Sequence, residues 1–219
     1  MSQLADLTLA EMRLALAADV ARAAAFDGWG EAALSEAAGH HGIDLNVARL
    51  AFSGGEMAMI GAWIASVDAA MQEKFGDGSL LKLPVRERVR ALVRFRLAAI
   101  AGLEESLRRA LAIMAMPQNA AQTLRMGWNS ADAMWRLAGD TATDYNHYTK
   151  RTILAGLYAA TLAIFVGDDS EGKAETLAFL DRRIEGVMRF EKAKSRLLHP
   201  DVEHFSMARL LGRLRYPAT

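Results

Sequence analysis

The run Asp144-Tyr145-Asn146-His147-Tyr148-Thr149-Lys150-Arg151 gathers a carboxylate, two phenols, an amide, an imidazole and two cations into one short stretch. That mixture suits contact with another molecule, because Tyr and Arg are favoured interface anchors. Gly139 fits the left-handed residue that ends a helix, and Thr143 or Asp144 can cap the next one. Residues after the cap then project outward. Tyr148 and Arg151, three apart, share a helix face. The alternative is that Tyr148 is a buried packing residue.

Motifs with catalytic spacing do not survive their context. Gly28-Trp29-Gly30-Glu31-Ala32-Ala33 spells a dinucleotide fingerprint, but a helical alanine run precedes it instead of a strand. Ser79-Leu80-Leu81-Lys82 has the spacing of a serine acylase, without the companion motifs. The histidines (His40, His41, His147, His199, His204) form no zinc or di-iron helix pair. With no cysteine in the chain, disulfides, thiolate metal sites and cysteine nucleophiles are excluded. The expectation is a protein that is not an enzyme and that carries neither metal nor cofactor.

The elements that must hold these residues are helices. Long apolar stripes of period 3.6, much alanine and four prolines argue an all-α fold. Thr8-Leu9-Ala10-Glu11 has capping-box spacing and opens a helix to about Phe26. Short pieces follow at Glu31–Ala38 and Leu45–Phe52, then a longer helix over Glu56–Phe75. Pro84 precedes a helical pattern from Val85 to Met116, with a bend expected near Gly102. Further helices are read over Asn119–Ala138 and Tyr145–Val166. A last strong one carries Leu177, Leu180, Ile184, Val187 and Met188 on one stripe and ends before Pro200. One domain is expected over 1–219: a helix-turn-helix part (1–60), a larger helical part (61–198) and a basic tail (199–219).

Helix, two short helices split by Gly39-His40-His41-Gly42, then another long helix is a helix-turn-helix pattern. Leu34-Ser35-Glu36-Ala37-Ala38-Gly39 with Leu50-Ala51-Phe52 resembles the start of TetR-type regulators, and a ligand-responsive regulator is the alternative functional reading. Charge argues against it. Residues 1–60 hold no lysine and three arginines (Arg13, Arg22, Arg49) against eight carboxylates, a balance of −5. Duplex binding needs several phosphate contacts, so the helix-turn-helix is read as degenerate and no DNA partner is expected.

Apolar bulk concentrates in the middle of the chain, where Met126, Trp128, Trp135, Leu154 and Tyr158 are read as lining an adaptable apolar space. A well-filled core accounts for the same pattern. The run Arg86, Arg88, Arg90, Arg94, Arg96 is read as a solvated face. Residues 182–219 carry nine Lys/Arg against four carboxylates, a balance of +5. Within them Met207, Leu210, Leu211 and Leu214 form an arc opposite Arg209 and Arg213, a basic amphipathic helix suited to an anionic membrane surface. A terminal helix docked on the body fits that pattern equally. The N-terminus has neither a basic leader nor a transit-peptide composition, so the expected location is the bacterial cytoplasm, peripheral to the inner membrane, or the mitochondrial matrix side.

Gly139 to Arg151, together with Thr176-Leu177-Ala178-Phe179-Leu180-Asp181-Arg182-Arg183-Ile184, closely resembles the paired signature of the Coq-nine family. The resemblance implies a TetR-like fold without transcriptional activity, and an accessory role in ubiquinone (coenzyme Q) biosynthesis. It further implies binding of an isoprenoid lipid or quinone intermediate, presented to the demethoxyubiquinone di-iron hydroxylase. Carried over, Asp144, Tyr145, Asn146 and Tyr148 match the family's hydroxylase-facing run, with Arg151 beside them. His147 stands where many members have Trp. A homodimer and a membrane-surface contact are also expected.

Overall fold

Thr8 and Glu11 start the first helix by satisfying each other's backbone. The Thr8 hydroxyl accepts from the Glu11 amide at 3.3 Å, and the Glu11 carboxylate accepts from the Thr8 amide at 2.9 Å. The computed structural model describes residues 7–142 and 145–198, the side chains of 145 and 191–198 excepted. In chain order the helices are α1 (Leu9–Asp27), α2 (Glu31–His40), α3 (Leu45–Ala51), α4 (Gly55–Phe75) and α5 (Val85–Ala99). They continue with α6 (Glu104–Met114), α7 (Ala120–Leu137), α8 (Tyr145–Phe165) and α9 (Ala174–Leu198). Short 3-10 turns at Ser79–Lys82, Pro117–Asn119 and Glu171–Lys173 link α4 to α5, α6 to α7 and α8 to α9. The expected all-α class holds, with no strand among the described residues.

The chain divides between Asp181 and Arg182 into two units. In the first, α1 packs against α2, α3, α4 and α6, and α4 also meets α5, α6 and α7. Small residues on α1 permit this close approach: Ala17, Ala21 and Ala24 are fully buried beside Leu16 and Val20. Burying each large apolar side chain contributes roughly 1.5–3 kcal/mol. Trp29 fastens the helix-turn-helix part to α6, its indole N–H donating to the Ser106 carbonyl at 2.9 Å. The described part of the second unit is the stretch 182–198 of α9, where Met188 and Phe190 are exposed and Arg189 pairs with Glu185 at 3.0 Å.

Two helix boundaries depend on glycine. Gly102, expected at a bend, lies in a full break between α5 and α6 because its backbone is left-handed, φ +83°. Gly139 ends the α7 region with φ +81°, and a Cβ there would sit 2.6 Å from the Leu81 side chain. Arg88 braces this junction by donating to the carbonyls of Leu81 (2.8 Å), Leu83 (2.7 Å) and Ala138 (2.7 Å). The arginine run of α5 is therefore no solvated face as a whole. Arg90 pairs with Asp181 at 2.7 Å and also with Glu87, and Arg96 is buried.

Among the described residues no single helix is long and apolar enough to cross a membrane. The pair α3 and α4, bent by 79°, reaches that mark together by length and composition only. Trp63, Ile60 and Met71 of α4 are buried within the fold.

Candidate functional site

Five helices of the first unit wall a cavity of about 630 Å³. Trp63 of α4, Leu111 and Met114 of α6, and Met126 and Trp128 of α7 supply apolar wall. Tyr158 and Leu162 of α8, with Ile100 of α5, face them. The exposed lining residues Leu124, Thr152, Gly156 and Ala159 mark its open side, between α7 and α8. A space of this size, apolar with few polar groups, is the ordinary form of a small-molecule site.

The cavity has a polar end. Arg96 lines it and is 2% exposed. One guanidinium nitrogen donates to Asp68, another to the Ser130 hydroxyl at 3.1 Å, and the group lies over the Tyr158 ring, 4.9 Å from its centroid. Its Nε–H meets no acceptor among the described residues. Burial pushes the Asp68 carboxyl above its ordinary range, with the Arg96 charge opposing the shift. Sequence reading missed Arg96, Ser130 and Asp68. A signal existed: Arg96 falls seven, four and three residues after Val89, Leu92 and Val93, on the stripe those residues bury.

Three of the residues expected to line this space do so: Met126, Trp128 and Tyr158. Trp135 and Leu154 do not line it, which corrects that expectation. Trp135 lies two turns beyond Trp128, where its indole N–H donates to the Lys150 carbonyl at 2.9 Å. Leu154, 2% exposed, packs in the core one turn before Tyr158. A helical stripe fixes which side a residue faces, not where along the axis a void begins and ends.

The aromatic and basic run opens α8. Asp144 lies outside the described residues, as does the side chain of Tyr145, so the expected Asp144 cap does too. Asn146 is exposed. His147 Nδ1 is hydrogen-bonded to the Ala142 carbonyl at 2.9 Å, which assigns the proton to that nitrogen. Tyr148 is 61% exposed, so it is not the buried packing residue of the alternative reading. Its ring stacks obliquely on Trp128 at 5.9 Å and meets His147 edge-on at 5.2 Å. Trp128 thus belongs both to the cavity wall and to the aromatic surface.

Arg151 corrects the expectation of an outward-facing cation beside Tyr148. It is 2% exposed, and its guanidinium reaches Asp132 at 2.6 Å, Asp140 at 3.0 Å and the His147 carbonyl at 3.1 Å. The carboxylates that capture it come from α7 and the turn after it. The tail residues Met207, Arg209, Leu210, Leu211, Arg213 and Leu214 lie outside the described residues.

In the helix-turn-helix part, each of the three arginines is engaged. Arg13 donates to the Ala51 carbonyl, Arg22 pairs with Asp19, and Arg49 of α3 reaches Glu31 through Nε at 2.8 Å. Asp19 also bonds His41 at 2.6 Å.

The COQ9 family model matches residues 120–191, a span that contains both sequence signatures, α7 and α8. The chain is 31% identical over 168 residues to the mitochondrial ubiquinone biosynthesis protein COQ9 of Rattus norvegicus, covering 74% of this chain and 54% of that protein. The chain is thus similar to the COQ9 family. The Homo sapiens protein of the same name is 32% identical over 122 residues, 56% of this chain and 36% of that one. This chain therefore spans about half the length, or less, of the curated relatives it matches. Among solved structures, it is similar to a TetR transcriptional regulator from Nitrosomonas europaea, with a TM-score of 0.65 and 20% identity. That likeness covers 82% of this chain and 99% of the regulator, and it establishes the expected TetR-like helical fold.

Proposed function

We propose that this chain is a non-enzymatic accessory protein of ubiquinone biosynthesis, binding an isoprenoid quinone intermediate and presenting it to the demethoxyubiquinone hydroxylase. The observation that carries this reading is the double membership of Trp128. One side chain lines the apolar cavity and also contacts Tyr148 on the exposed aromatic surface. A lipid held against Trp128 lies next to the surface a partner would cover, as handing over a substrate requires. The family relationship supplies the pathway, and the cavity's size and apolar wall support the ligand class. Homodimerisation and contact of the basic tail with a membrane surface belong to the same proposal.

Extraction of the native protein and mass spectrometry of the released lipid test it. Recovery of a polyprenylated quinone or its precursor is the expected result. A protein free of lipid, or one that retards a promoter fragment at physiological salt, would overturn the reading in favour of a regulator. Engagement of Arg13, Arg22 and Arg49 within the fold supports the expectation that no such retardation occurs.

A further inference from the structure

Among the described residues the cavity wall has one charged member, and it is already neutralised. Arg96 enters the lining from α5, and Asp68 of α4 binds it from behind, so together they present hydrogen-bond donors without net charge. Ser130 takes a second guanidinium nitrogen, and Tyr158 covers the face of the group. Of the three guanidinium nitrogens, Nε alone has no acceptor among the described residues, although the side chain is 98% removed from solvent. A buried donor left unsatisfied is costly, and buried polar groups ordinarily find partners. The missing partner is a hydrogen-bond acceptor.

We propose that the Arg96–Asp68–Ser130 cluster reads the head of the bound lipid and selects a neutral acceptor, such as a quinone carbonyl, over a carboxylate or phosphate. An anionic head would have to share Arg96 with the Asp68 carboxylate, placing like charges together in an apolar cavity. A pure hydrocarbon would leave the spare donor unmet. The ligand accordingly enters head first, toward Arg96, with its tail along Met114, Met126 and Leu162 toward the open side. This inference rests on the lipid-carrier reading and adds the rule by which that carrier chooses its cargo.

Three probes that share a phytyl-type tail test it: phylloquinone, phytanic acid and phytane, each measured by displacement of Nile red from the full chain. Wild-type protein should bind phylloquinone about tenfold tighter than phytane, the effect of one good buried hydrogen bond, and tighter than phytanic acid. Asp68→Asn should turn the preference by about tenfold or more toward phytanic acid, because it unmasks the Arg96 charge. The double variant Arg96→Met, Asp68→Asn leaves no buried charge unpaired and should bind phylloquinone and phytane alike. Equal binding of all three probes by the wild type, or an unchanged preference in Asp68→Asn, overturns the head-group rule and leaves the lipid carrier standing. Failure of every probe to bind overturns both.

Discussion

Arg151 and Asp140 meet at 3.0 Å with both side chains all but sealed from water, 3% and 4% exposed. Asp132 takes the other edge of the guanidinium, and Lys150 holds the second oxygen of Asp140 at 2.7 Å. The run that reads as an interface in sequence is thus divided in space: Tyr148 faces out while Arg151 ties α8 to α7 and its turn.

Arg151→Ala should act on stability. Removing one member of a buried ion pair strands the others and costs about 3 kcal/mol, or roughly 10 °C in melting temperature for a chain of this size. Thermal denaturation followed by circular dichroism measures it. A melting temperature within a degree of wild type would show that the network contributes nothing.

Tyr148→Ala should do the opposite. The side chain is 61% exposed and its ring contacts are Trp128 and His147, so stability should change by less than about 1 kcal/mol. Association with the hydroxylase proposed as its partner should weaken by a hot-spot magnitude, about 2 kcal/mol or some thirtyfold in Kd. Calorimetric titration on the purified pair reads the affinity. An unchanged Kd would move the partner's surface elsewhere.

Gly156 stands at the open side of the cavity in the middle of α8, and a Cβ there meets nothing within 4 Å. Gly156→Leu should hold or raise the melting temperature, since glycine costs about 1 kcal/mol in a helix interior. It should also lower the lipid recovered per mole of protein severalfold by narrowing the entrance. Wild-type lipid content in a stable variant would show that the ligand enters by another route.

Asp168 governs an acid limb of stability. Its carboxylate accepts from the Ser170 amide (2.9 Å) and hydroxyl, and from the Thr176 amide (2.8 Å) and hydroxyl (2.6 Å). Those hydrogen bonds hold its pKa far below the ordinary 3.8, against the opposing effect of burial. Asp140 is shifted the same way: burial would raise it, and hydrogen bonds from Lys150 and Arg151 outweigh that. Because the unfolded chain takes up these protons first, the stabilisation is complete above the ordinary carboxylate pKa and is lost as pH falls through and below it. Asp168→Asn should therefore melt lower at neutral pH and lose less further stability between pH ~5 and ~3 than wild type. Parallel pH profiles for the two proteins would remove Asp168 from the account.

The sequence by itself determined the helices and their punctuation. The Thr8–Glu11 capping box and the left-handed Gly139 depend on residues a few positions apart, so their signals are local. It also determined that Met126, Trp128 and Tyr158 face inward, because a 3.6-residue period records which side of a helix is covered. Only the tertiary structure decided which arginines are buried. Arg96 and Arg151 read as surface cations because their charge is visible in the sequence. The carboxylates that neutralise them, Asp68 and Asp132, arrive from other helices, 28 and 19 residues away. Where the cavity stops was likewise settled by packing: it includes Ser130 and excludes Trp135 on the same helix. Desolvating an arginine is tolerable only once such a partner is in place, and pairing across a bundle leaves no periodic trace in the chain.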